Sequence, residues 1–155
     1  MYLTLKTLHI LSSTLLFGTG LGTAFFMWMT NRTKDRAAIT VVTKIVVKAD
    51  LYFTTPSVVL QPLTGVAMML MAGYPLNFAS LNWLGLSVML YVLAGVCWLP
   101  VLWIQLQMHH IALGAPSGAP LPPSYWVLER YWVLLGIPAF SGVIAVFWLM
   151  TAKPF

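Results

Sequence analysis

The sequence predicts an all-α integral membrane protein, a four-helix bundle whose second helix extends beyond the bilayer at its cytoplasmic end. Three observations predict it. Of 155 residues, 60% are hydrophobic and 7% charged, and the mean hydropathy is +0.88, whereas a soluble domain carries about 25% charged residues. Four long apolar stretches, near residues 2–30, 37–72, 81–110 and 124–151, each reach the ~20 residues that cross the hydrocarbon core as a helix. The Lys and Arg residues gather at the ends of these stretches, which is the positive-inside pattern of membrane helices.

The first stretch, residues 8–29, has one ionisable side chain, His9. Ionisable groups within such segments are rare and face a bundle interior, a cavity or a cofactor. At about 100° per residue, His9 shares a stripe with Ser12, Ser13, Leu16, Gly20, Thr23 and Met27. Small and polar residues dominate that stripe, leaving room beside an imidazole for a flat group or another helix. Gly18 and Gly22 form a G-x-x-x-G pair on the opposite side, where a second backbone can approach closely, so this helix is expected to be buried on two sides. The stretch is longer than a signal-peptide core of about 7–15 residues, has no A-x-A site, and is followed by Arg32, Lys34 and Arg36. It reads as a retained span.

The second stretch, 37–72, exceeds one bilayer thickness at about 1.5 Å per residue. Residues 37–50 place Ile39, Val42 and Val46 on one face and Lys44 and Lys48 on another, as expected of a segment at or beyond the membrane surface. Pro56 and Pro62 remove backbone donors from the buried part and should bend it. An uncharged loop, 74–82, leads to the third stretch, kinked at Pro100. A Pro/Gly-rich linker, 114–123, leads to the fourth. Trp83, Trp126, Tyr131 and Trp132 stand where interfacial aromatics are expected. The chain therefore forms a single transmembrane domain over 1–155.

Arg32, Lys34, Arg36, Lys44 and Lys48 attend the first connection and Arg130 the third, while the second has no charge. The positive-inside rule then puts the first and third connections in the cytoplasm and both termini outside, against which Lys6 and Lys153 count. The net charge of +5 lies at helix ends and forms no patch with base-stacking aromatics, which excludes nucleic acid as a partner. Cys97 is single, so no intrachain disulfide forms. No phosphate loop, dinucleotide fingerprint or C-x-x-C occurs. Three acidic residues in all leave little for hydrolytic catalysis.

Two readings stand at His9. One is a neutral imidazole hydrogen-bonded to Ser13 or to a neighbouring helix. The other is the axial metal ligand of a b-type haem lying along the stripe, with Ser13 and Gly20 beside it. His109 and His110 close the third span at the other face, about a bilayer's thickness away, and cannot share that haem. Met68, Met69, Met71 and Met89 are candidate second ligands, although Met is also the commonest gap filler of apolar cores. Lys48, Asp50, Tyr52, Thr54 and Thr55 form a polar cluster at the inner end of span two, either an interfacial anchor or a site for an anionic group. Glu129 needs a partner from another helix, and Gln61 and Gln105 are expected to bridge helices.

Several short motifs, 5–10 (LKTLHI), 17–21 (FGTGL), Leu51-Tyr52, Thr55-Pro56, Thr64-Gly65 and the final Lys153-Pro154-Phe155, resemble small bacterial four-span proteins. The chain is similar to the predicted integral membrane family DUF2269 and, more distantly, to the HemJ-type protoporphyrinogen oxidase family. The resemblance implies a haem b or otherwise essential role for His9 and residence in a bacterial inner membrane. The oxidase family opens its third span with W-L-H-x-K and carries N-E-x-P in its fourth. Here Trp83-Leu84-Gly85-Leu86-Ser87 and Leu135-Gly136-Ile137-Pro138 stand instead, so the resemblance implies the fold more strongly than the activity. The expectation is a haem-binding redox or electron-transfer protein with a membrane redox partner or a homo-oligomer. The alternative is a cofactor-free structural or assembly subunit of a larger membrane complex.

Overall fold

A computed structural model of the chain describes residues 1–74, 82–116 and 119–154, all of it helix and connection. Helix α1 (Tyr2–Thr33) ends where Lys34 turns left-handed, at φ 56°, and gives its N–H to Asn31 O. Asp35 follows in extended conformation and accepts from the Ala37 N–H at 2.9 Å, which caps the next helix by satisfying a free N-terminal donor. A two-residue turn results, and it sends the chain straight back along α1.

The expected long second helix is one rod made of three parts. Helix α2 (Arg36–Ala49) buries Ile39, Thr43 and Val46 and leaves Lys44 and Lys48 exposed. A π-helical turn (Asp50–Thr54) follows, closed by the Thr55 N–H on Asp50 O, and α3 (Thr55–Met71) continues without a break. Pro56 accounts for the wide turn, because a proline lacks a donor and its ring clashes with the carbonyl four residues back. A π turn opens the helix at that carbonyl. The bend foreseen at Pro56 is thus taken up as a change of helical register. Pro62 lies inside α3.

Helix α4 (Trp83–Gly114) starts at Asn82, whose side chain accepts from the Gly85 N–H at 2.8 Å. Helix α5 (Pro123–Ala152) opens with a proline in its first turn, where no donor is needed. The uncharged loop and the centre of the Pro/Gly linker fall largely at 75–81 and 117–118, outside the described residues.

Helices α4 and α5 pack along their length, while α1 lies against α2 and α3, and α2 also meets α4. Gly142 brings α5 close to α4: a Cβ there would stand 3.5 Å from Leu90 O and 3.9 Å from Ala94 Cβ. The tightest apolar core is at the end carrying the α1–α2 turn, where Met27, Ile39, Val46, Met108, Ala112 and Tyr125 meet. Arg36 locks that end. Its guanidinium donates to Ala112 O at 3.2 Å and Leu113 O at 3.4 Å, satisfying the last carbonyls of α4.

Among the described residues, α1, α4 and α5 are long and apolar enough to cross a membrane. Three of the four spans expected from sequence are thereby shown; α3 has 17 residues, short of the ~20 that cross the hydrocarbon core, and the rod changes character at the π turn. The outward faces carry Leu11, Phe26, Leu99, Leu134 and Ile137, side chains suited to acyl chains. Gly18 and Gly22 have nothing within 4 Å of a would-be Cβ. The expectation that α1 is buried on both sides is corrected: among the described residues the G-x-x-x-G face is open, because the rod packs along the His9 side of the helix and no described neighbour lies across these glycines.

Candidate functional site

His9 sits near the start of α1, half-buried against α3. Its ring lies over Gly65, where a Cβ would approach Cε1 to 3.4 Å; the missing side chain gives the imidazole its seat. Nδ1 is 2.8 Å from Thr64 Oγ1. The Thr64 hydroxyl is already committed, donating to Leu60 O at 2.6 Å. With its proton on Leu60 O it accepts from His9, which assigns the imidazole proton to Nδ1. Nε2 keeps its lone pair.

A second layer holds the same turn of α1. Gln61 Nε2 donates to His9 O and to Ser12 Oγ, both at 2.7 Å, and the Ser12 hydroxyl donates to His9 O at 3.1 Å. Gln61 bridges helices as expected. Of the residues foreseen around a haem, Ser13 turns back to Ile10 O at 2.7 Å and does not hold the imidazole. Gly20 lies about 16 Å further along the helix, at 1.5 Å per residue. The structure separates Gly20 from His9, and puts the partner of His9 on α3.

Gly20 lines a cavity of about 530 Å³ in the middle of the bundle. All four long segments contribute to it: Phe17 and Trp28 from α1, Asp50 and Thr54 from the π turn, Trp98 and Gln105 from α4, and Trp132 and Phe140 from α5. His9 and Ser13 are not among its lining residues. One wall is the stacked pair Phe17 and Phe140, ring centroids 4.7 Å apart. The polar atoms gather toward the π turn, where Thr54 donates to Asp50 Oδ1 at 2.7 Å and the Gln105 side chain lies beside Asp50.

The remaining candidates sort by end. His109 Nδ1 meets Thr43 Oγ1 at 3.1 Å on α2. Thr43 and Thr64, the partners of the two histidines, lie 21 residues apart on one rod, about 30 Å at helical rise. One metal cannot join His9 to His109 or His110. Among the described residues no group of three or more His, Cys, Asp or Glu side chains comes together. Met71 and Met89 are exposed and Met69 is buried. Of the polar cluster foreseen near the π turn, Asp50 and Thr54 face inward, whereas Lys48 and Tyr52 are exposed.

Sequence reasoning missed the third polar group. Asn31, 2% exposed, donates to Glu129 Oε1 at 2.9 Å and accepts from the Tyr125 hydroxyl at 2.8 Å. Glu129 thus finds its partner across the α1–α5 contact. An Asn at the end of an apolar stretch was the available signal, and it reads equally as a loop residue.

Three long apolar helices, lipid-suited outer faces and polar side chains satisfied across helix contacts define a multi-pass integral membrane protein. The chain belongs to the predicted integral membrane protein family DUF2269, which it matches over residues 3–154. Comparison with curated proteins and with solved structures gives no match.

Proposed function

We propose that this protein is a four-crossing bundle of the bacterial cytoplasmic membrane that binds one b-type haem through His9 and serves a redox or electron-transfer step there. The observation that carries the reading is the seat of His9: Nδ1 lies 2.8 Å from Thr64 Oγ1, whose own proton has Leu60 O in reach at 2.6 Å, an arrangement that assigns the lone pair to Nε2. A metal-binding histidine is held in this manner, its other ring nitrogen donating to an oxygen that sets ring orientation and tautomer. Gly65 and Gln61 keep that turn of α1 in place. A bound haem would supply reversible one-electron chemistry. The motif resemblance to the oxidase family read from the sequence lacks the His and Lys of W-L-H-x-K and the Glu of N-E-x-P, and no curated protein matches the chain, so the reading rests on His9.

The rod supports the fourth crossing. It runs antiparallel to α1 from the α1–α2 turn until Thr64 is level with His9. Arg32, Lys34, Arg36, Lys44 and Lys48 then mark the cytoplasmic end, and both termini are external. Reporter fusions at the two termini test this, and a cytoplasmic C-terminus overturns it.

The optical spectrum of the purified protein tests the cofactor. Soret and reduced α bands that disappear in His9→Ala are expected. A folded, colourless protein from haem-replete cells overturns the proposal and favours the second reading, a cofactor-free subunit of a membrane complex. The open Gly18 and Gly22 face favours that alternative, since small residues are where a further helix seats closely.

A further inference from the structure

We infer that the central cavity is a binding site for a lipid-soluble phenol: a flat ring with a hydroxyl donor and an apolar tail. The site is independent of His9. Its walls are aromatic and apolar, with Phe17, Trp98, Trp132 and Phe140 around the space, and flat rings pack on such surfaces in offset or edge-on contact. Its volume, about 530 Å³, falls in the range of small-molecule sites.

The polar end sets the chemistry of the headgroup. Gln105 is 4% exposed, lines the cavity, and its Oε1 has no hydrogen-bond partner among the described residues. A buried, unpaired acceptor carries a desolvation cost that a donor relieves. Gln105 stands beside Asp50 at this end of the cavity. Asp50 is itself an acceptor, with one oxygen taken by Thr54. An O–H or N–H brought by a ligand would supply the missing partner. The π turn at Asp50–Thr54 is a further mark, since such turns cluster at functional positions.

The site rejects an isostere that lacks the donor. The test is a titration of the purified protein in lipid nanodiscs with 4-decylphenol and with 4-decylanisole, whose methylated oxygen donates nothing. The phenol is expected to bind about tenfold tighter or more, the effect of pairing a buried polar atom. Gln105→Leu and the volume-conserving Gln105→Met are expected to bring phenol binding down to the anisole level. Gly136→Phe, which fills the cavity from α5 at a glycine with no atom near its would-be Cβ, is expected to remove both. Equal binding of the two probes to the wild-type protein, no binding of either, or a phenol preference that survives in a folded Gln105 variant overturns the inference. The wild-type comparison decides the question even where a variant fails to fold.

Discussion

Replacing Asn31 by Leu tests whether the α1–α5 contact is held by a shared polar hub. The substitution keeps the branched shape of the side chain and deletes two hydrogen bonds, to Tyr125 Oη and Glu129 Oε1. Tyr125 is fully buried, so its orphaned hydroxyl costs about 1–3 kcal/mol. Glu129 is half-buried and recovers water, so that loss adds about 1 kcal/mol. The expected total is about 2–4 kcal/mol. Tyr125→Phe leaves Asn31 on Glu129 and costs about 1 kcal/mol. In the double variant no hydroxyl is left to be orphaned, so the pair should be less than additive by about 1–2 kcal/mol. Reversible unfolding in mixed micelles, followed by circular dichroism, measures all three. Additivity within about 0.5 kcal/mol would refute the hub.

Thr64→Val removes the acceptor for His9 Nδ1 and should lower stability by about 1 kcal/mol. The imidazole ¹⁵N shifts should then report a mixture of tautomers, and an unchanged Nδ1–H form refutes the assignment. Pro56→Ala restores the donor and relieves the clash, so the turn at 50–54 should narrow to α-helix and carry Asp50 away from Gln105; a structure of the variant with the π turn intact contradicts this cause. Arg36→Met uncaps α4 and should cost about 0.5–1 kcal/mol, with faster amide exchange confined to residues near Gly114. Lys34→Gly should stabilise by up to about 1 kcal/mol, because glycine takes the left-handed conformation without a Cβ penalty; a lower unfolding midpoint argues against it.

The helices were legible to within a few residues. The second was expected over 37–72 and runs from Arg36 to Met71, because a long apolar run bounded by polar turns has one low-energy form in lipid. The separation of His9 from His109 and His110 was legible too, since rise per residue converts numbering into distance. The bridging role of Gln61 followed from its type and depth. Its partners did not, nor did the pairing of His9 with Thr64, 55 positions away. Ser13 was the nearer hydroxyl in sequence, yet a serine within a helix bonds its own preceding turn.

The composition, the run lengths and the placement of Lys and Arg determined by themselves that this protein is a helical membrane protein, and marked His9 as an ionisable group within a span. Those properties depend on transfer between water and hydrocarbon, which each segment undergoes on its own. The tertiary structure alone decided that His9 carries its proton on Nδ1, that Gly65 rather than Gly18 or Gly22 receives a neighbouring helix, and that Asp50, Thr54 and Gln105 meet at one end of a cavity. Each of these depends on the rotation of one helix against another, and the π turn ahead of Pro56 resets that rotation midway along the rod.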